Sequence, residues 1–203
     1  MIITKMVNGI NLKHFKVDII KFLIFLFLIF SNNTYADDVS DFEIGGISVG
    51  DSALEHFTVD EIESAKMSVY EKKDFLSATL ELKNSNFEFI QIEFKANDKN
   101  YIIYAMNGKI NFQNKKMEDC YKLEKIILKD LKEIFSSAEY TDHGIDSHPG
   151  DPSGDSKGTW HTFELEDSGF VYLECMDWSK KMKFYDQLKL SVLTNEFNDW
   201  INY

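Results

Sequence analysis

Apolar and polar residues alternate in two blocks of the chain, one in the middle and one near the end. Leu76, Ala78, Leu80 and Leu82 alternate with Ser77, Thr79 and Glu81, the period of a half-buried strand. Asn84-Ser85-Asn86 reads as a turn. A second strand is predicted over Phe87 to Lys95, with Ile90, Ile92 and Phe94 on one face and Gln91 and Glu93 on the other. After the turn Asn97-Asp98-Lys99-Asn100, a third strand is predicted over Tyr101 to Met106. Asn107-Gly108 then either makes a tight hairpin into Lys109–Phe112 or bends one long strand. The second block predicts strands over Thr159–Glu166, Phe170–Trp178 and Gln187–Leu193, the first two joined by Asp167-Ser168-Gly169.

Helical spacing is clearest between Met117 and Ser136. There Cys120, Leu123, Ile127, Leu131 and Ile134 form a stripe that Ile126 and Phe135 widen. Glu118–Lys122 and Lys129–Glu133 stand four apart on the opposite face. Ser52 with Glu55, and Thr58 with Glu61, carry capping-box spacing and predict two short helices, to Phe57 and to about Lys66. A last short helix is predicted over Glu196 to Ile201, and residues 37–44 read as a polar lead. Between about Thr141 and Gly158 the chain is polar, holds both prolines and reads as a loop. The order α-βββ-α-βββ, with no repeated strand–helix–strand crossover, predicts an α+β fold of antiparallel sheet. It divides into two candidate α-βββ units, roughly 45–113 and 117–193.

The N-terminus changes the picture of where such a domain works. Lys5, Lys13, Lys16 and Lys21 precede nine apolar residues, Phe22–Phe30, and a polar stretch ending at Thr34-Tyr35-Ala36. This is the layout of a cleavable secretory signal over residues 1–36, cut before Asp37. Nine apolar residues fall short of the roughly 20 that span a bilayer. The competing reading, an uncleaved anchor that recruits Ile19 and Ile20, is interrupted by Lys21. Asp18 lengthens the n-region, so Met6 is an alternative start. The remaining residues 37–203 suit one α+β domain. No cysteine lies near the cut, so no lipid anchor is expected after cleavage.

Of the 22 lysines four lie in the signal, and of the 34 acids one, leaving 18 against 33 and a net charge of −15. Such a surface repels nucleic acid and anionic headgroups. The chain has no arginine, the residue that grips phosphate and carboxylate bidentately. The two cysteines, Cys120 and Cys175, predict one disulfide in an exported domain; two separately buried thiols are the alternative.

Three constellations bear on chemistry. Gly154-Asp155-Ser156-Lys157-Gly158 has the G-x-S-x-G form, but it follows a loop and precedes a strand, the reverse of a nucleophile elbow. Val49-Gly50-Asp51-Ser52-Ala53 resembles the opening block of GDSL-type esterases, which would make Ser52 a nucleophile. That family's Asp-x-x-His pair is missing, because no histidine after residue 36 has an aspartate three positions earlier. Without a base the hydroxyl is not activated, and a helix cap accounts for Ser52. The 141–158 stretch gathers Asp142, His143, Asp146, His148, Asp151 and Asp155, oxygens suited to calcium and imidazoles suited to zinc, without EF-hand spacing. Tyr101, Tyr104, Tyr172, Trp160 and Trp178 line either a ligand groove or the core.

Three segments, Phe42–Leu54, Asp119-Cys120-Tyr121-Lys122 and Cys175-Met176-Asp177-Trp178, resemble a group of small exported proteins of marine bacteria to which no activity is assigned. The Gly46-Ile47-Ser48-Val49-Gly50-Asp51-Ser52 opening before a short helix and a three-stranded meander also resembles the BamE (SmpA/OmlA) envelope-assembly family. The helix–sheet tandem resembles that of β-lactamase-inhibitor proteins. The lipidated cysteine of BamE is missing. The signal, the missing nucleophile–base pair and the BamE-like opening together imply a non-catalytic periplasmic or secreted module that binds a protein or small ligand of the cell envelope, without a cofactor. The alternatives are a hydrolase using Ser52 and a divalent-metal module using the 141–158 stretch.

Overall fold

The computed structural model describes residues 38–68, 70–83, 85–112 and 116–202; the signal expected over residues 1–36 lies outside them. Eight strands form one antiparallel sheet: β1 (Lys66–Met67), β2 (Phe75–Glu81), β3 (Phe89–Lys95), β4 (Ala105–Asn111), β5 (Glu139–Ser147), β6 (Lys157–Leu165), β7 (Gly169–Asp177) and β8 (Gln187–Thr194). Their spatial order is β1-β2-β3-β4-β8-β7-β6-β5. The described α-helices are α1 (Val59–Ala65), α2 (Met117–Ile134) and α3 (Asn195–Asn202), and 3-10 turns at Val39–Asp41 and Ala53–Glu55 precede α1. The fold is α+β, as predicted, but each half contributes four strands rather than three. The halves meet where β4 pairs with β8, and the strand order is unchanged when each strand is exchanged for the one four later.

One face of the sheet is apolar. Ala78, Ile92, Met106, Val192, Val171 and Phe163 are successive cross-strand partners over six strands and are almost wholly buried. Helix α2 packs on this face against β7 and β8. The N-terminal segment covers it too, through Val39, Ile44, Ile47 and Val49. The 37–44 stretch is therefore not merely a polar lead, since Val39 and Ile44 are core residues. Gly108 lies inside β4 because this segment leaves no room for a side chain. A Cβ there would stand 2.8 Å from Ile44 Cγ2 and 2.8 Å from Phe87 Cδ1.

Helix starts and the disulfide follow the sequence closely. Thr58 caps α1 and closes a full capping box with Glu61. Cys120, in the first turn of α2, is bonded to Cys175 on β7, with Cα atoms 6.1 Å apart. Val171, Leu173 and Cys175 share the buried face of β7. Such bonds persist in oxidising compartments. Among the described residues no helix is long and apolar enough to cross a membrane.

Three further expectations need correction. The stretch read as a loop begins with strand β5, which pairs along β6 through a bulge between Asp142 and Gly144. It lies at the sheet edge and is exposed on nearly every residue, so no burial alternation marks it. The third strand is Ala105–Asn111 rather than Tyr101–Met106. Residues 101–103 bond instead to the segment around Ser52, through Gly50 N to Ile103 O, Ile103 N to Asp51 O and Ala53 N to Tyr101 O. Asn107-Gly108 thus sits inside one strand and makes no hairpin. On α2, Ile126 is exposed while Glu124 is buried.

Candidate functional site

The second face of the sheet is polar and only partly covered. Ser77 and Glu93 lie on it, as do Gln91, Asn107, Ser191 and Tyr172 in one cross-strand row and Lys109, Lys189 and Glu174 in the next. Helix α3 packs against β7 and β8 on this side. Its Phe197 joins Phe75 and Ala105 in a small second core that Tyr104 and Trp200 flank. Beside that core opens a cleft of about 370 Å³, floored by Gln91, Asn107, Lys109, Lys189 and Ser191 and walled by Tyr172, Tyr70 and α3.

Side chains in and behind this floor are joined in a chain. Lys109 Nζ donates to Gln91 Oε1 at 2.5 Å, and Gln91 Nε2 donates to Glu93 Oε1 at 2.7 Å. Ser77 Oγ donates to the other Glu93 oxygen. Burial pushes the Glu93 carboxyl up to about 7, against the opposing hydrogen bonds from Ser77 and Gln91. Burial, with Lys189 next to it, holds Lys109 below the ordinary lysine range. Lys189 Nζ lies 2.8 Å from Glu174 Oε2. Ser191, by contrast, is 3% exposed and its hydroxyl has no hydrogen-bond partner among the described residues. A buried donor left unpaired costs roughly 1–3 kcal/mol, and this one lines the cleft.

Two further polar clusters are internally satisfied. Under α2, the Cys175 N–H donates to Thr159 Oγ1 at 3.2 Å, and that hydroxyl donates to Glu124. His161 Nε2 stands 3.7 Å from Glu124. His161 Nδ1 hydrogen-bonds the Tyr140 hydroxyl at 3.0 Å and faces Asp142 at 3.6 Å. Burial raises the Glu124 carboxyl above the ordinary carboxylate range and lowers the His161 imidazole below its ordinary range. The second cluster is a knot around Asp151. It accepts from the Ser153 and Ser156 amides and from the hydroxyls of Ser153, Ser156 and Ser179. The Ser156 and Ser153 hydroxyls hold that carboxyl below the usual range.

The residues singled out in the sequence fall as follows. Ser156 is fully buried and spends its hydroxyl on Asp151 at 2.6 Å. Ser52 Oγ donates to Asn100 O at 2.6 Å and accepts from Leu54 N, capping the 3-10 turn. His56 approaches Asp51, at 3.4 Å, and not Ser52. Ser52→Ala is expected to lower stability by about 1 kcal/mol in urea denaturation and to leave any ester hydrolysis unchanged. Hydrolysis lost at unaltered stability would make Ser52 a nucleophile after all.

The six candidate metal ligands diverge. Asp142 faces His161, and His143 bonds Thr162. The Asp146 carboxylate bonds the Ser147 amide. His148 packs on Trp178, Asp151 forms the serine knot, and Asp155 pairs with Lys181. Among the described residues no three His, Cys, Asp or Glu side chains converge as a metal site.

Of the aromatic candidates, Trp160 and Tyr172 line open clefts. Tyr101 is bonded to Glu63, Tyr104 packs on Phe75, and Trp178 lies between His148 and Phe184. The floor residues Lys109, Lys189 and Ser191 carried no motif. Their signal was the alternation Gln187, Lys189, Ser191 in an otherwise apolar strand, which gains meaning only once β8 is known to be central. Comparison with protein-family models, with curated protein sequences and with solved structures gave no match to this chain.

Proposed function

We propose that this protein is an exported, non-catalytic binding module of the cell envelope, periplasmic or secreted, that takes a ligand on the open face of its sheet. The carrying observation is the Ser191 hydroxyl, buried and unpartnered in the floor of a cleft that also holds two lysines. Pockets with a few convergent polar groups are the usual places for ligands, and every other buried hydroxyl in the clusters above is bonded. The signal-like leader, the BamE-like opening and the disulfide support an extracytoplasmic setting.

The reading is tested by NMR screening of the mature domain with a general small-fragment library. Fragments are expected to shift the signals of Asn107, Lys109, Tyr172, Lys189 and Ser191 together. Hits scattered over the surface, or clustered on the apolar-face residues around Glu124, would overturn it. The export half is tested by N-terminal sequencing of protein recovered from an expressing bacterium, which is expected to begin at Asp37.

A further inference from the structure

A second cleft, of about 460 Å³, opens beside the first between β5, β6 and β7. Trp160 and Tyr172 supply its rings, and Thr162, His143, Asp146 and Glu174 surround them. Tyr172 and Glu174 line both clefts, which makes one trough across the strands. The register sets its length. Trp160, Glu174, Lys189 and Lys109 are successive cross-strand partners, so three strand spacings place Lys109 roughly 14 Å from Trp160.

We propose that this trough binds an acidic saccharide, with a sugar ring against Trp160 and Tyr172 and a carboxylate held by Lys109, Lys189 and Ser191. The proposal rests on the reading of the open face as the binding surface and adds the class of ligand.

The carboxylate half follows from unbalanced charge. Lys109 and Lys189 stand directly opposite each other on β4 and β8, where like charges repel. Glu174 compensates Lys189. Lys109 bonds the neutral oxygen of Gln91 and makes no ion pair among the described residues, the carboxylates of Glu93 and Glu174 acting on it only from farther off. An ammonium and the free Ser191 hydroxyl are two donors lining one cleft from neighbouring strands, a match to the two oxygens of one carboxylate. A phosphate fits less well, because the chain has no arginine and Glu174 stands beside the pair.

The saccharide half follows from the second cleft. Aromatic ring faces are electron-rich and receive the polarised C–H faces of a sugar. The carboxylates of Asp146 and Glu174 and the hydroxyl of Thr162 are acceptors for sugar hydroxyls. The distance from Trp160 to Lys109 suits a short oligomer rather than a single ring.

The test is calorimetric titration of the mature domain with short oligomers of galacturonic, glucuronic and mannuronic acid, with the matching neutral oligomers, and with acetate. At least one acidic oligomer is expected to bind at least tenfold more tightly than its neutral counterpart and than acetate. Lys109→Gln is expected to remove that advantage, so that the variant binds the acidic oligomer and its neutral counterpart equally. Ser191→Ala, which removes one atom from a buried site, is expected to weaken the acidic oligomer several-fold and serves if Lys109→Gln fails to fold. Trp160→Ala is expected to weaken both oligomers.

Equal binding of neutral and acidic oligomers would overturn the carboxylate site, and acetate binding as tightly as the oligomer would overturn the ring platform. If none of the saccharides binds, the ligand class is wrong, whereas fragment hits on Ser191 would leave the open-face reading standing.

Discussion

Replacing both cysteines, Cys120→Ala with Cys175→Ala, is expected to lower the melting temperature by about 10 °C. The bond closes 55 residues of chain, and the loss of that loop constraint from the unfolded state is worth about 4 kcal/mol. For a domain of this size each kcal/mol moves the midpoint by roughly 2–4 °C. The loss should be felt unevenly. At the far end of α2, Leu131 and Phe135 are buried, and Phe135 packs on Phe42 and Phe163. The first turns rely on Cys120 and on the Glu124–Thr159 bond, because Lys116 gives the helix no side-chain cap. Amide exchange in the cysteine-free variant should therefore quicken most over residues 118–124 and least over 129–135. A melting shift below about 2 °C, or uniform exchange along the helix, would show that α2 is held by packing alone.

How much of this was legible beforehand depended on whether local pattern or sheet order decided the element. The α2 stripe, the Thr58 capping box and the pairing of Cys120 with Cys175 follow from spacing within one element and from which face of β7 is apolar. Strand β5 was not legible, because an edge strand exposed on both faces shows no period. The shift of the third strand was not legible either, since residues 101–103 are claimed by a partner some 50 positions earlier. The candidate site lay furthest from view. Lys109 and Lys189 read as ordinary wet-face residues until β4 and β8 are found side by side. Glu93 read as sharing the polar face with Gln91 and is in fact 1% exposed, bonded to Ser77 and Gln91 and facing the Tyr70 hydroxyl.

That buried carboxyl makes the stability of the domain depend on pH, and Glu93→Gln isolates the dependence. Burial pushes the Glu93 carboxyl up to about 7 in the folded protein, while an unfolded chain releases the same proton near 4.3. Between those values the folded state holds more protons, so stability falls as pH rises. The contribution is fully present below about pH 4 and is lost as pH passes through about 7. The displacement corresponds to about 4 kcal/mol. Glutamine keeps the shape and cannot ionise. Its carbonyl can accept from Gln91 Nε2, and its amide can donate to Ser77 Oγ, replacing the two bonds that Glu93 makes there. In urea denaturation, wild type and Glu93→Gln are expected to agree near pH 4.5. They should then diverge until the variant is more stable by about 2–3 kcal/mol at pH 8. The comparison cancels the titration of the other acidic groups, which both proteins share. Parallel stability curves across that range would mean that Glu93 is charged in the folded state, and that Lys109, reached through Gln91, already serves as its counter-ion.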